Sequence, residues 1–195
     1  MDQFGIGQPV RRKEDVRFLT GRGRYTDDID TPGQAHLAIL RSPHAHARIV
    51  SLNVEPARSA PGVKLVLTGH DAAADGLGLC PVMVDVPSMG GTPPLYCPPK
   101  AILQTEAVRF VGDAIVAVVA ETRAQAQDAL ELVEIDYDPL PSITETARAL
   151  DPDAPVIWPE RGTNLCVHWT NGRGDEADAA FATAHTTASI ELVQN

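Results

Sequence analysis

The sequence predicts an α/β (α+β) fold. Three neighbouring patterns indicate this class: the unbroken apolar run AIVAVVA at 114–120, an amphipathic helical pattern after it, and an apolar/polar alternation at 133–137. The chain has 195 residues, of which 44% are hydrophobic, and this is enough to bury a core.

The first third of the chain is predicted to be an arm followed by strands. Residues 1–19 form the arm, and a short strand is expected around Tyr25 between glycine turns. Two strands follow at 35–41 and 47–54. Because Pro43 in the connection has no N–H to donate to a ladder, we expect a hairpin-like link there.

Residues 55–100 combine short elements with a long irregular segment. A single helical turn is expected at 55–60, and a strand at 63–67 places alternate apolar residues on one face. Residues 70–100 are dense in proline and glycine, which excludes long regular elements. Such a segment is either a functional or interface loop or a flexible surface loop, and the sequence favours neither.

The clearest elements lie between residues 114 and 139. The run 114–120 suits a strand buried on both faces in the centre of a sheet. Thr122 and Gln125 form a capping-box pattern that begins a helix. A strand at 133–137 follows and ends at Pro139. If the two strands are parallel, the crossover between them is right-handed.

The C-terminal part is predicted to begin a second unit. A proline-rich linker at 151–164 separates a first domain, 20–150, from residues 165–195. A helix at 172–184 and a strand at 185–193 then start a further α/β unit whose strand has nothing left to pair with. We therefore expect a cut chain that carries only part of the function.

The charge balance argues against nucleic-acid binding. The chain has 16 Lys and Arg residues against 26 Asp and Glu residues, a formal net charge of −10. The basic cluster Arg11, Arg12 and Lys13 is followed at once by Glu14 and Asp15, which offset its field. This cluster is interpreted as a solvated face.

Neither a membrane span nor an export signal is predicted. The sequence contains no long apolar run, and its first nine residues lack the basic start and apolar middle of a secretory signal. The three cysteines are widely spaced and are interpreted as free thiols in a reducing, cytoplasmic location: Cys80, Cys97 and Cys166.

Three histidines that lie close in sequence raise the question of a metal site. His36, His44 and His46 could serve a small metal-dependent hydrolase, which requires their ring nitrogens within about 4–5 Å of one another. A turn in which the imidazoles bond backbone carbonyls is the favoured alternative.

Other chemical patterns are interpreted as turns. The glycine-rich pieces at 5–9, 20–25 and 88–94 do not join a buried strand to a helix, as a phosphate loop requires. Ser42 stands beside His44 but without a nucleophile elbow. Gly112-Asp113 is read as a tight turn before the buried strand. The acidic cluster Asp27, Asp28 and Asp30 is read as a solvated turn.

Four segments, taken together, resemble the N-terminal part of the large subunit of molybdenum hydroxylases. They occur in the family's order and cover most of residues 7–141: RRKEDVRFLTGRGRYTDDI, LRSPHAHARIVSLN, VRFVGDAIVAVVAET and LVEIDYDPLP. The family includes aerobic carbon monoxide dehydrogenase, xanthine dehydrogenase and aldehyde oxidase.

The resemblance implies an α/β hammerhead domain with a mixed sheet at 20–150 and the start of a molybdopterin-binding domain at 165. It also implies a molybdenum-molybdopterin cytosine dinucleotide cofactor in the full subunit, with iron-sulfur clusters and FAD on partner subunits. In the family, the cofactor-contacting segments and the catalytic glutamate lie beyond the part that corresponds to this chain. No catalytic residue, metal ligand or cofactor contact is therefore assigned here, and the 195-residue piece alone is expected to be inactive.

A complete, noncatalytic interaction domain is the alternative from another class. It predicts that Ile190 and Leu192 pack into a sheet of this same chain.

Overall fold

A computed structural model describes residues 7, 11–81, 96–169 and 171–192. Within these residues, six strands form two three-stranded sheets. In chain order the strands are β1 (His36–Arg41), β2 (Ala47–Asn53), β3 (Val63–Thr68), β4 (Ala107–Val108), β5 (Ala114–Ala120) and β6 (Glu134–Pro139).

Helices connect and flank these strands. They are α1 (Asp15–Leu19), α2 (Glu55–Arg58), α3 (Gly69–Ala74), α4 (Arg123–Glu131) and α5 (Gly174–Thr183). Short 3₁₀ turns lie at Thr26–Asp28, Thr146–Arg148 and Pro159–Arg161.

The first sheet has the order β1-β5-β3 and the second has the order β4-β2-β6. The central position predicted for 114–120 is confirmed, and Ile115, Val116 and Val118 are completely buried. Every described strand pair is antiparallel, so the predicted mixed sheet is wrong in this detail. Because β5 and β6 belong to different sheets, no parallel crossover arises between them.

The predicted hairpin between 35–41 and 47–54 is also wrong. The strands exist as β1 and β2 but lie in separate sheets. The backbone N–H of Ser42 donates to Asp113 O, and the N–H of Gly112 donates to Ser42 O, both at 2.8 Å. These bonds extend the pairing of β1 toward the turn before β5, and the chain then leaves for the second sheet.

The capping box at the start of α4 is confirmed. The N–H of Gln125 donates to Thr122 Oγ1 at 3.2 Å, and Gln125 Oε1 accepts from the N–H of Thr122 at 3.0 Å. Ala126 and Ala129 are completely buried, and Ala126 packs against Ala38 of β1 as part of one apolar cluster. Helix α4 therefore covers one face of the first sheet, as predicted.

Helix α3 was not predicted, because residues 70–100 were interpreted as free of long elements. Helix α3 also begins with a capping box. Thr68 Oγ1 accepts from the N–H of Asp71, and the Asp71 carboxylate accepts from the N–H and the hydroxyl of Thr68. These hydrogen bonds, with the Arg58 charge, lower the pKa of Asp71 below its ordinary value of 3.8. Residues 82–95 of this segment lie outside the described residues.

The strand predicted around Tyr25 is not formed. Residues 26–28 make a 3₁₀ turn in which Asp28 Oδ2 accepts from the N–H of Tyr25 at 2.9 Å. The Tyr25 ring stacks on Phe18 with centroids 5.7 Å apart. Tyr25 keeps extended backbone angles, but its N–H is bonded by the Asp28 side chain and it belongs to no strand.

The C-terminal part has a different character. The predicted helix is present as α5, but none of its residues is buried. Residues 185–192 belong to no strand, and Ile190 and Leu192 are 80% and 81% exposed. The packing that the interaction-domain alternative predicts for these two residues is therefore not observed. The division into arm, domain, linker and second domain stays a prediction.

Candidate functional site

The three histidines do not converge. His36 begins β1, roughly 17 Å of strand separates it from Arg41, and the other two histidines follow beyond that end. His46 Nδ1 bonds Pro141 O at 2.8 Å, and the His44 ring lies 4.7 Å from the Tyr137 ring. Within the described ranges, no group of three or more His, Cys, Asp or Glu side chains could hold a metal ion. The metal-dependent hydrolase hypothesis therefore has no support from this geometry.

Ser42 is a structural residue of a turn. Its side chain is almost fully buried, its Oγ accepts from the N–H of His44 at 3.0 Å, and its hydroxyl donates to His44 O at the same distance. Both capacities of the hydroxyl are used by the adjacent backbone. This arrangement does not activate a nucleophile, in agreement with the interpretation from sequence.

The acidic cluster and the cysteines also have ordinary surroundings. Asp28 caps the 3₁₀ turn and Asp30 accepts from Gln34 Nε2 at 3.3 Å. Cys80, Cys97 and Cys166 are free thiols. The glycine at 21 has φ of +70° and forms a turn, whereas the glycine-rich piece at 88–94 lies outside the described residues.

Asp113 organises the loop before β5. Gly112 adopts φ of +96°, which confirms the tight turn. The buried Asp113 carboxylate accepts from Gln104 Nε2 at 3.0 Å and from the backbone N–H of Arg109 at 2.9 Å. These bonds close residues 104–113 into a loop that leads directly into the first residue of β5. The sequence predicted the turn but not the hydrogen bonds of the Asp113 carboxylate.

Four side chains from three parts of the chain form a cluster that we call the aromatic–arginine cluster: Tyr96, Arg109, Trp158 and Arg161. The Arg109 guanidinium lies 4.1 Å from the centre of the Trp158 ring, and that of Arg161 lies 5.1 Å from the Tyr96 ring. The two rings meet edge to face with centroids 6.5 Å apart. The cluster fastens residues of the predicted linker to the domain.

Hydrogen bonds strengthen the cluster unevenly. The Tyr96 hydroxyl donates to Glu160 Oε1 at 3.0 Å, and desolvation together with this bond raises the pKa of Tyr96. The Tyr96 backbone N–H donates to Cys166 O at 2.9 Å. The Nε atoms of Arg109 and Arg161 are buried and have no hydrogen-bond partner among the described residues.

A pocket of about 320 Å³ adjoins the cluster, at the small end of the range for ligand pockets. Its walls are mainly apolar, with Lys100 Nζ 5.8 Å from the centre of the Phe110 ring. Asp113 and Gln104, which are hydrogen-bonded to each other, also line the pocket. Such a pocket can accept an apolar or aromatic group. The other main lining residues are Pro98, Pro99, Ile157 and Trp158.

No signal in the sequence predicted the aromatic–arginine cluster. Trp158 and Arg161 are three positions apart, but Tyr96 and Arg109 lie 49 to 65 positions before them, so no local pattern connects the four residues. The sequence leaves the segment 70–100 open between a functional or interface loop and a flexible surface loop, and Pro98 and Pro99, at its described end, line the pocket. The helices of the described residues include none long and apolar enough to span a membrane.

Two curated relatives match nearly the whole chain. The carbon monoxide dehydrogenase large chain of Afipia carboxidovorans is 35% identical over 94% of this chain and 23% of its own length. The 6-hydroxypseudooxynicotine dehydrogenase complex subunit gamma of Paenarthrobacter nicotinovorans is 35% identical over 99% of this chain and 24% of its own length. The chain thus spans about a quarter of the length of these relatives.

A solved structure and a family model agree with these relatives. The crystal structure of a Cu,Mo-CO dehydrogenase superposes with a TM-score of 0.71 and 35% identity, over 93% of this chain and 23% of that chain. Residues 20–141 match the family model for aldehyde oxidase and xanthine dehydrogenase, a/b hammerhead domain. The chain therefore belongs to the aldehyde oxidase and xanthine dehydrogenase family and carries its α/β hammerhead domain.

Proposed function

We propose that this chain is the N-terminal part of the large subunit of a molybdenum-dependent hydroxylase or dehydrogenase. The observation that carries the proposal is the match of nearly all its residues to the large chain of a carbon monoxide dehydrogenase, in sequence and in fold. The full enzyme would oxidise its substrate with oxygen derived from water. Carbon monoxide, an aldehyde, a purine and another heterocycle are all open as the substrate.

The chain's own role is that of a scaffold. Among the described residues, no group of three or more His, Cys, Asp or Glu side chains could hold a metal ion, so the metal of the proposed cofactor has no protein ligand set here. The cofactor, proposed as molybdenum-molybdopterin in its cytosine dinucleotide form, would be held by polypeptide outside these residues. When bound, it would supply the two-electron oxidation of the substrate.

Residues 20–150 are proposed as the scaffold domain and 165–195 as the start of the molybdopterin-binding domain, joined by 151–164. The aromatic–arginine cluster supports this arrangement because it fastens Trp158 of the linker to Arg109 of the domain. The pocket beside it is proposed to lie along the route of substrate entry, since an apolar lining suits small uncharged molecules.

Iron-sulfur and flavin subunits are the proposed partners, which would remove the electrons from the large subunit. A relative named as subunit gamma of a dehydrogenase complex supports a multi-subunit assembly. A cytoplasmic location is proposed, and the three free thiols are compatible with a reducing compartment.

Metal analysis tests the proposal directly. The complex that contains the full large subunit is purified beside the 195-residue chain, and molybdenum and the released pterin nucleotide are quantified in both. We expect stoichiometric molybdenum and cytosine nucleotide in the complex and neither in the short chain. A complex free of molybdenum, or a short chain that binds it stoichiometrically, would overturn the proposal.

A further inference from the structure

One face of the first sheet is apolar and, among the described residues, only partly covered. Side chains of a strand alternate between the two faces, and α4 covers the face that carries Ala38, Val118 and Ala120. The opposite side, which we call the open face, contains only apolar residues in its two central rows: Leu37, Ile39, Leu65, Leu67, Ala117 and Val119.

The register of the sheet makes these residues one continuous patch. Leu37 and Leu65 both pair with Val119, and the next row joins Ile39, Ala117 and Leu67 in the same way. Directly paired side chains on one face lie about 4.5–5.5 Å apart, so neighbours within each row touch. Leu37 is 61% exposed and Leu65 is 47% exposed, while the other four are half-buried.

The patch continues around an unpaired strand edge. In the described part of the chain, β3 is an outer strand, and a groove of about 460 Å³ runs along residues 63–67. Charged side chains stand at the margin of the patch: Lys64 Nζ and Glu121 Oε1 are 3.0 Å apart, and the groove is also lined by the ion pair of Arg58 and Asp71, at 3.2 Å. An apolar centre with a charged rim is the anatomy of a protein interface.

We propose that the open face and the β3 edge dock an apolar surface of the large-subunit polypeptide outside these 195 residues. The inference rests on the proposed function and names an interface for it. The relatives match 94% and 99% of this chain with only 23% and 24% of their own length, so each holds these residues within a much longer chain. An intramolecular partner is therefore available in every molecule.

A second copy of this chain is a less suitable occupant. Each copy carries a formal charge of −10, and self-association would bring two such charges together. Within one large subunit, the opposing surface is instead tethered to the open face by the chain itself.

Thiol accessibility tests the docking. Leu37→Cys and Leu65→Cys are made singly in the full large subunit with Cys80, Cys97 and Cys166 replaced by serine, and maleimide labelling is followed by peptide mass spectrometry. The matched control is Asp128→Cys, on the exposed side of α4 away from the open face. We expect labelling at positions 37 and 65 to be slower than at 128 by about tenfold or more, because the interface must open before reaction.

The same three variants in the 195-residue chain complete the test. There, all three positions are expected to react at similar rates. Equal rates in the full subunit would overturn the proposal. Protection already present in the short chain and lost on dilution would also overturn it, in favour of a second copy. Molybdenum content is measured on the same samples, so protection without molybdenum would refute the proposed function and leave the docking intact.

Discussion

Strand β5 and helix α5 are both well-defined local patterns, yet β5 is buried and α5 is exposed. Residues of β5 such as Ile115 and Val118 are completely buried between partners from the same chain. In α5 no residue is buried, and Phe181 is 67% exposed. The difference shows that a pattern decides which element forms, whereas burial requires a complementary surface within reach.

The largest expected contrast is between an isoleucine of β5 and one that follows α5. Ile115→Ala should reduce the free energy of unfolding by about 2–5 kcal/mol, because it removes buried methylene groups and leaves a cavity. Ile190→Ala, at an exposed position, should change it by less than about 0.5 kcal/mol. Urea unfolding followed by circular dichroism measures both. Equal effects would mean that the two regions are not distinct in packing.

The next contrast concerns buried and exposed carboxylates. Asp113→Ala removes the acceptor for Gln104 Nε2 and for the N–H of Arg109, and should cost about 1–3 kcal/mol. Asp128→Ala, on the exposed side of α4, is the control and should be nearly neutral. The same urea titration applies. A neutral Asp113→Ala would show that the loop 104–113 does not depend on this carboxylate.

A smaller effect distinguishes the starts of the two helices. Thr122→Ala removes the cap of α4 and should cost about 1 kcal/mol of unfolding free energy. Arg173 precedes α5 and makes no side-chain cap bond, only an exposed ion pair with Glu176 at 2.9 Å. Arg173→Ala should therefore leave the thermal midpoint almost unchanged. Both variants are compared by their thermal midpoints, and a larger decrease for Arg173→Ala than for Thr122→Ala would contradict the comparison.

The smallest expected effect is a dependence on pH. The pKa of Asp71 is lowered in the folded chain, so its ionised form stabilises the fold above the ordinary value of 3.8. This contribution should be lost as the pH falls through the lowered pKa, and Asp71→Asn should flatten that part of the stability curve. Asp178→Asn, on exposed α5, controls for the loss of one charge. Identical slopes for the wild type and Asp71→Asn would contradict the prediction.

Most of the local structure could be predicted. The period of two identified β1, β2 and β3, the apolar run identified β5, and the Thr122/Gln125 pair located the start of α4. The Thr68/Asp71 pair is the same type of signal and lies at the start of α3, a helix that was not predicted. For the candidate site, the sequence predicted the turn at Gly112 but not the partners of Asp113.

The amino-acid sequence by itself determined most of the strands and helices and the family to which the chain belongs, because periodicity, caps and ordered motifs are properties of neighbouring residues. The tertiary structure alone decided that β1 and β2 lie in different sheets and that Arg109 meets Trp158. It also decided that one side of the first sheet is covered by α4 and the other is open. The physical reason is that strand pairing and ring contacts join residues far apart in the chain, and their choice depends on the packing of the whole core.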